Sequence, residues 1–223
     1  MRNLLDLGIM PQGLSYDCGY YSDKAILEYW GITASIRRLK NIALEAQSHL
    51  VISQEDVKEG RGLIRKNKDV ARSHNRKYPS LEATGAIAIA KEYNLAGVIM
   101  LGPTTREMIE SIDDELPVLF DWYLRPDAGH WSVIKGYVRG STIQNGRIRT
   151  WFKLADSADS ARTDYFMRRP KLFRQWSGGL FKREYRRAII QWPRSHPEAL
   201  EFREKYRGMQ FGSIPREPAN LCA

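Results

Sequence analysis

The sequence predicts an α+β fold, with helices first and an antiparallel sheet second. Three observations carry that prediction. Apolar residues recur at helical spacing early in the chain, they alternate with period two between Val118 and Ala155, and Asn145-Gly146 separates two of the alternating runs as a two-residue hairpin signal.

Ala25, Ile26, Tyr29 and Trp30 share one face, which predicts a helix from Cys18 to Tyr29 with Gly31 at the C′ position. A second helix, about Ile36 to His49, is entered from Thr33 or Ser35 and buries Ile36, Leu39, Ile42, Ala43 and Ala46. From Ser48 to Pro79 the chain is polar and rich in both charges, with Val57, Leu63, Ile64 and Val70 as sparse apolar anchors. That pattern suits a solvated helix pair or a mobile excursion. Ser80 is expected to cap a third helix carrying Leu81, Ile87, Ile89 and Ala90, ended by "YNLAG".

"VIML" reads as a short strand, and "TTREMIESIDD" as a helix opened by Thr104 with Glu107 at capping-box spacing. "VLFDWYL" after Pro117, "HWSVIKGYV" and "RIRTWFKLA" then read as three consecutive antiparallel strands. "KREYRRAIIQW" offers a further strand, Ser195 with Pro197 and Glu198 starts a last helix through about Tyr206, and "GSIPREPANLCA" is a tail.

Hydrophobic content of 43% and charged content of 27% are those of a chain that folds, and 223 residues suit one domain with decorations. No apolar run approaches the ~20 residues of a membrane span, and "MRNLLDLGIM" lacks a signal-peptide pattern, so a cytoplasmic location is the default expectation. Cys18 and Cys222 make at most one disulfide, too few for a disulfide scaffold. The net charge of +9 is concentrated after Arg162, in "RRPKLFR", "KREYRR" and "FREKYR". Such a face attracts an anionic partner without specifying it, and a merely solubilising surface has the same composition. Cys/His spacing for zinc, a carboxylate cluster for a hard cation and a phosphate-binding glycine loop are all missing from the sequence, so no cofactor is expected.

The chemistry gathers at "PQGLSYDCGYYSDKAILEYWG". A cysteine nucleophile needs a thiolate, and a helix N-terminus favours negative charge through its unsatisfied N–H groups and aligned dipoles. Cys18 sits at that point. Acyl transfer also needs donors for the oxyanion, and Gln12, joined to the helix through Gly13, offers a side-chain N–H beside the Cys18 backbone N–H. The base has to be a histidine held in one tautomer. His49 and His74 belong to the charged excursion and His196 to a helix start, whereas His130 opens a strand after Gly129. Asp156, at the end of the following strand, is the expected orienting group, with Asp159 and Asp164 as fallbacks and Asp121 a weaker one.

"Q-x5-DCG" leading into a helix that ends "YWG", then "PVLFDW" and "GHWSVIKGY", then an Asp closing the next strand, resembles the bacteriocin-processing, double-glycine-leader cysteine peptidases. The resemblance covers about Met10 to Trp176 and extends to "LFRQW". It implies a papain-like fold, with the helical half packed on the sheet, and a stand-alone enzyme that cleaves a peptide or protein substrate. By the same resemblance Cys18 is the nucleophile, Gln12 the oxyanion-hole residue, His130 the base and Asp156 its orienting group. The expected boundaries are 1–192 for the peptidase domain, with a charged insertion at about 48–79, and 193–223 for a C-terminal helix and tail. Two departures stand out. Tyr20 and Tyr21 follow DCG where small residues are usual, which implies a crowded groove, and Ser157 replaces the usual proline after the Asp. The alternative is an inactive papain-like binding protein that holds nucleic acid or an assembly partner on its basic surface.

Overall fold

The computed structural model describes residues 2–12, 17–47, 81–125, 128–141, 148–158, 163–176 and 187–207. In chain order the elements are β1 (Arg2–Leu4), α1 (Cys18–Tyr29), α2 (Ile36–Gln47), α3 (Ala83–Glu92), β2 (Leu95–Leu101), α4 (Thr105–Asp113) and β3 (Val118–Arg125). They continue with β4 (Ala128–Ser141), β5 (Ile148–Ala155), β6 (Asp164–Arg168), α5 (Arg169–Trp176), β7 (Arg187–Pro193) and α6 (Ala199–Arg207).

The strands form one antiparallel sheet in the order β2-β7-β3-β4-β5-β6. β4, 14 residues long, is its spine. β5 runs along one side of β4, while the other side is shared by β3 at the start of the strand and β1 at Gly136–Val138. Gly136 permits that last pairing, because a Cβ there would lie 2.5 Å from Leu4 and 2.6 Å from the Asn3 carbonyl.

Period-two alternation divides the core between the two sheet faces. Leu119, Trp131, Val133 and Ile189 pack against Tyr20, Ile26, Leu27, Ala86 and Ile89 of the helical half. Their neighbours Phe120, Trp122, Ile134 and Ile190 join Met108, Ile112, Leu172, Trp176 and Phe202 on the opposite side. The α+β expectation therefore holds, with the qualification that helices cover both faces.

α1 spans the predicted residues and Gly31 follows it at φ +74°. The Ser35 hydroxyl accepts from the Arg38 N–H at the start of α2, which decides between the two expected entry residues. The Thr104–Glu107 capping box is complete at α4. Other expectations need correction. α3 starts at Ala83, with Glu82 at its N-cap position, so Leu81 precedes the helix; Ser80 lies outside the described residues. β2 begins at Leu95 because β7 pairs with it over its whole length. α6 starts at Ala199, since the chain before it turns through a His196 N–H to Pro193 carbonyl bond. β1, β6 and α5 were not foreseen. The charged insertion, Asn145-Gly146, Cys222 and the tail lie outside the described residues.

Part of the basic C-terminal sequence is structural. The Arg187 guanidinium pairs with Asp121 and with Glu82, and these carboxylates hold it charged although burial opposes that. In "FREKYR", Phe202 and Tyr206 enter the core while Lys205 pairs with Asp114.

Candidate active site

Cys18 is the first residue of α1, so its backbone N–H is one of the helix's first-turn donors without an intrahelical partner. Asp17 makes no side-chain capping bond and instead pairs with Lys40 of α2 at 2.7 Å. The first turn of α1 is seated on Trp131. Gly19 lies so close that a Cβ would be 3.1 Å from the indole and 2.6 Å from Leu81, and the Ser22 hydroxyl donates to the Trp131 carbonyl at 3.1 Å. Trp131 in turn donates its indole N–H to the Leu81 carbonyl at 2.9 Å. Trp131 faces α1, and its neighbour His130 in β4 points to the opposite sheet face, towards Trp122 of β3.

The Cys18 side chain is a hydrogen-bonding neighbour of the His130 ring. His130 Nε2 lies 2.6 Å from Asp156 Oδ1, which leaves Nδ1 as the ring nitrogen not engaged by the carboxylate. The β4–β5 ladder ends at Val133–Ala155, so Asp156 follows the last pair on the sheet face that carries His130 and Ser132. Trp122, directly opposite His130 in β3, holds the ring edge-to-face at 5.6 Å, and its own indole N–H is fixed by Ser132 Oγ at 2.9 Å.

The electrostatics favour an ion pair. Burial works against a charged imidazole, but the hydrogen bonds to Asp156 and Cys18 and their negative charge outweigh it, lifting His130 from 6.5 to about 9. Burial likewise works to raise Asp156, yet the bond to His130 and its charge, with the Ala158 N–H and the Tyr165 hydroxyl, hold it below the ordinary aspartate range. Asp156 Oδ1 also accepts from Ala158 N–H at 2.9 Å, and Oδ2 from Tyr165 at 2.8 Å. The carboxylate is thus oriented at both oxygens.

No protein-family model matches the chain, and no curated protein matches it. Among solved structures, the peptidase domain of Streptococcus ComA, a bifunctional ABC transporter involved in a quorum-sensing pathway, is similar at a TM-score of 0.53. That likeness covers 84% of this chain and 99% of that domain, at 14% identity. A protein described as a C39-like peptidase from Bacillus anthracis gives a TM-score of 0.53 at 14% identity, over 85% of this chain and 97% of the other. The chain has a papain-like peptidase fold.

Within this papain-like frame, His130 is hydrogen-bonded to Asp156 with Cys18 as a further neighbour of the ring, and Gln12 is bound to Ser157, the residue after Asp156. The fallback carboxylates are engaged elsewhere: Asp164 with Lys135 at 2.7 Å and Asp121 with Arg187. Asp159, His49 and His74 lie outside the described residues. His196 accepts from the Glu198 N–H at 3.2 Å and packs on Trp30 and Phe202. Tyr20 does not crowd a groove, because it is 1% exposed and turned into the core. Three contributors were missed. Tyr165 belongs to the unforeseen β6, Ser157 enters the sequence reading only as a departure from proline, and Trp122 only as part of the strand "VLFDWYL". The alternation in "DYFMR" is the one local signal that pointed to a strand there.

Among the described residues no helix is long and apolar enough to cross a membrane, and no group of three or more His, Cys, Asp or Glu could hold a metal ion.

Proposed function

We propose that the chain is a cysteine peptidase that hydrolyses an amide bond in a peptide or protein substrate. The observation that carries this reading is the buried His130–Asp156 hydrogen bond with Cys18, at the start of α1, neighbouring the same ring. Cys18 Sγ attacks the scissile carbonyl carbon as the thiolate. The carbonyl π electrons move to oxygen, and the oxyanion takes hydrogen bonds from the Cys18 backbone N–H and the Gln12 amide. The His130 imidazolium protonates the leaving nitrogen, the C–N bond breaks, and an amine departs from a thioester. Neutral His130 then takes a proton from water as it attacks the thioester, releasing the acid and restoring the thiolate–imidazolium pair. Asp156 holds the ring tautomer and stabilises its charge throughout.

The test compares alkylation and turnover. Iodoacetamide is expected to label Cys18 much faster than Cys222 at neutral pH, and Cys18→Ala to abolish cleavage in a mixed peptide library. Equal labelling of both cysteines, no cleavage, and salt-sensitive binding to a polyanion unchanged in Cys18→Ala would replace the peptidase with a binding protein on the same frame.

A further inference from the structure

We infer that Ser157 is a positioning residue that sets the orientation of the Gln12 amide for the oxyanion, an inference that rests on the peptidase reading above. Asp156 and Ser157 are consecutive, and they serve the two halves of the site. Asp156 reaches His130 at 2.6 Å, while the Ser157 hydroxyl donates to Gln12 Oε1 at 2.8 Å. The Ser157 carbonyl also accepts the Gln12 backbone N–H at 2.9 Å. Gln12 is thus held at main chain and side chain by one residue, and that residue is fully buried.

Two physical consequences follow. A hydroxyl donating to Oε1 turns the amide so that Nε2, the end able to stabilise an oxyanion, lies away from Ser157. Donation to the amide oxygen also polarises the group and strengthens its N–H as a donor. The two residues that follow β5 therefore couple the imidazole-orienting carboxylate to the oxyanion donor, groups from segments far apart in the sequence. A proline at this position would keep the carbonyl half of the tether but has no hydroxyl to orient the amide.

The hydroxyl acts on charge that exists only in the tetrahedral state, so its loss has a specific signature. Ser157→Ala is expected to lower kcat for a peptide amide by roughly 2- to 12-fold, the range of one net hydrogen bond, with KM unchanged. Binding of a peptide aldehyde, which adds to Cys18 as a tetrahedral hemithioacetal, should weaken by a similar factor. The rate of Cys18 alkylation by iodoacetamide and its pH profile should stay at the wild-type values, because that displacement forms no oxyanion. Gln12→Ala should cost less in the Ser157→Ala background than alone, and Ser157→Thr, which keeps the hydroxyl, should recover turnover if its methyl is accommodated. The inference is overturned if folded Ser157→Ala turns over as fast as wild type, if alkylation slows as much as turnover, or if the Gln12 and Ser157 effects multiply independently. Wild-type protein with neither turnover nor fast Cys18 labelling overturns the peptidase reading itself, and this inference with it.

Discussion

Asp23 makes the stability of this protein depend on pH in an unusual direction. It lies in α1, five residues beyond Cys18, and is fully buried. Its Oδ1 accepts from Gln191 Nε2 of β7 at 2.8 Å, whereas Asp23 Oδ2 and Gln191 Oε1 are both buried without a partner. A carboxylate in that setting has lost its hydration, and a single amide donor does not replace it. Burial therefore raises the Asp23 pKa from 3.8 to about 7, against the lowering effect of the Gln191 bond. The folded protein keeps this proton until about pH 7, while the unfolded chain releases it near 3.8. Between those values the folded state binds more protons, so stability falls as pH rises. At 1.36 kcal/mol per pH unit the whole interval amounts to about 4 kcal/mol, a large part of the roughly 5–15 kcal/mol that holds a domain together. Asp23→Asn preserves the shape and the Oδ1 acceptor and supplies a permanent donor in place of the carboxyl proton. Urea unfolding of both proteins from pH 4.5 to 7.5 isolates the effect, because other titrating groups cancel in the difference. The variant should gain on wild type by about 3 kcal/mol across that range, the part of the interval that lies above pH 4.5. Parallel stability curves for the two proteins would refute the assignment of the proton to Asp23.

Two further outcomes follow from the same reasoning. The imidazolium that protonates the leaving amine is lost as pH rises through the raised His130 pKa, so kcat/KM should fall on an alkaline limb near pH 9; Asp156→Asn should move that limb to lower pH, and an unmoved limb would show that another group titrates. Gly19→Ala should lower both thermal stability and turnover. Its Cβ would come within 2.6 Å of Leu81, and the overpacking, of order 1–3 kcal/mol, exceeds the ~1 kcal/mol of helix propensity gained; unchanged melting and unchanged turnover would contradict the close seating of α1 on Trp131.

How much was legible depended on the range of the interaction that encodes it. Helix α1, its Gly31 terminus, the Thr104–Glu107 box and the alternation of β3, β4 and β5 are each set by neighbours a few residues apart, and they stand as the sequence implies. Cys18 stands at the first residue of α1, as the local pattern implies, whereas His130, expected to open its strand, is the third residue of β4 because the pairing with β3 extends back to Ala128. Partner choice across the sheet was not recognisable. β7 inserts between β2 and β3, and β1 takes the free length of β4, because those apolar strands need backbone partners that sequence order does not name. The fates of isolated polar residues were equally hidden: Arg187 on Asp121, Ser157 on Gln12, Tyr165 on Asp156 and Asp23 against Gln191. The sequence alone determined the local elements and the residue types able to do the chemistry. Tertiary structure decided which polar atoms meet, since a buried hydrogen bond is chosen by the packing that excludes water and brings distant segments together.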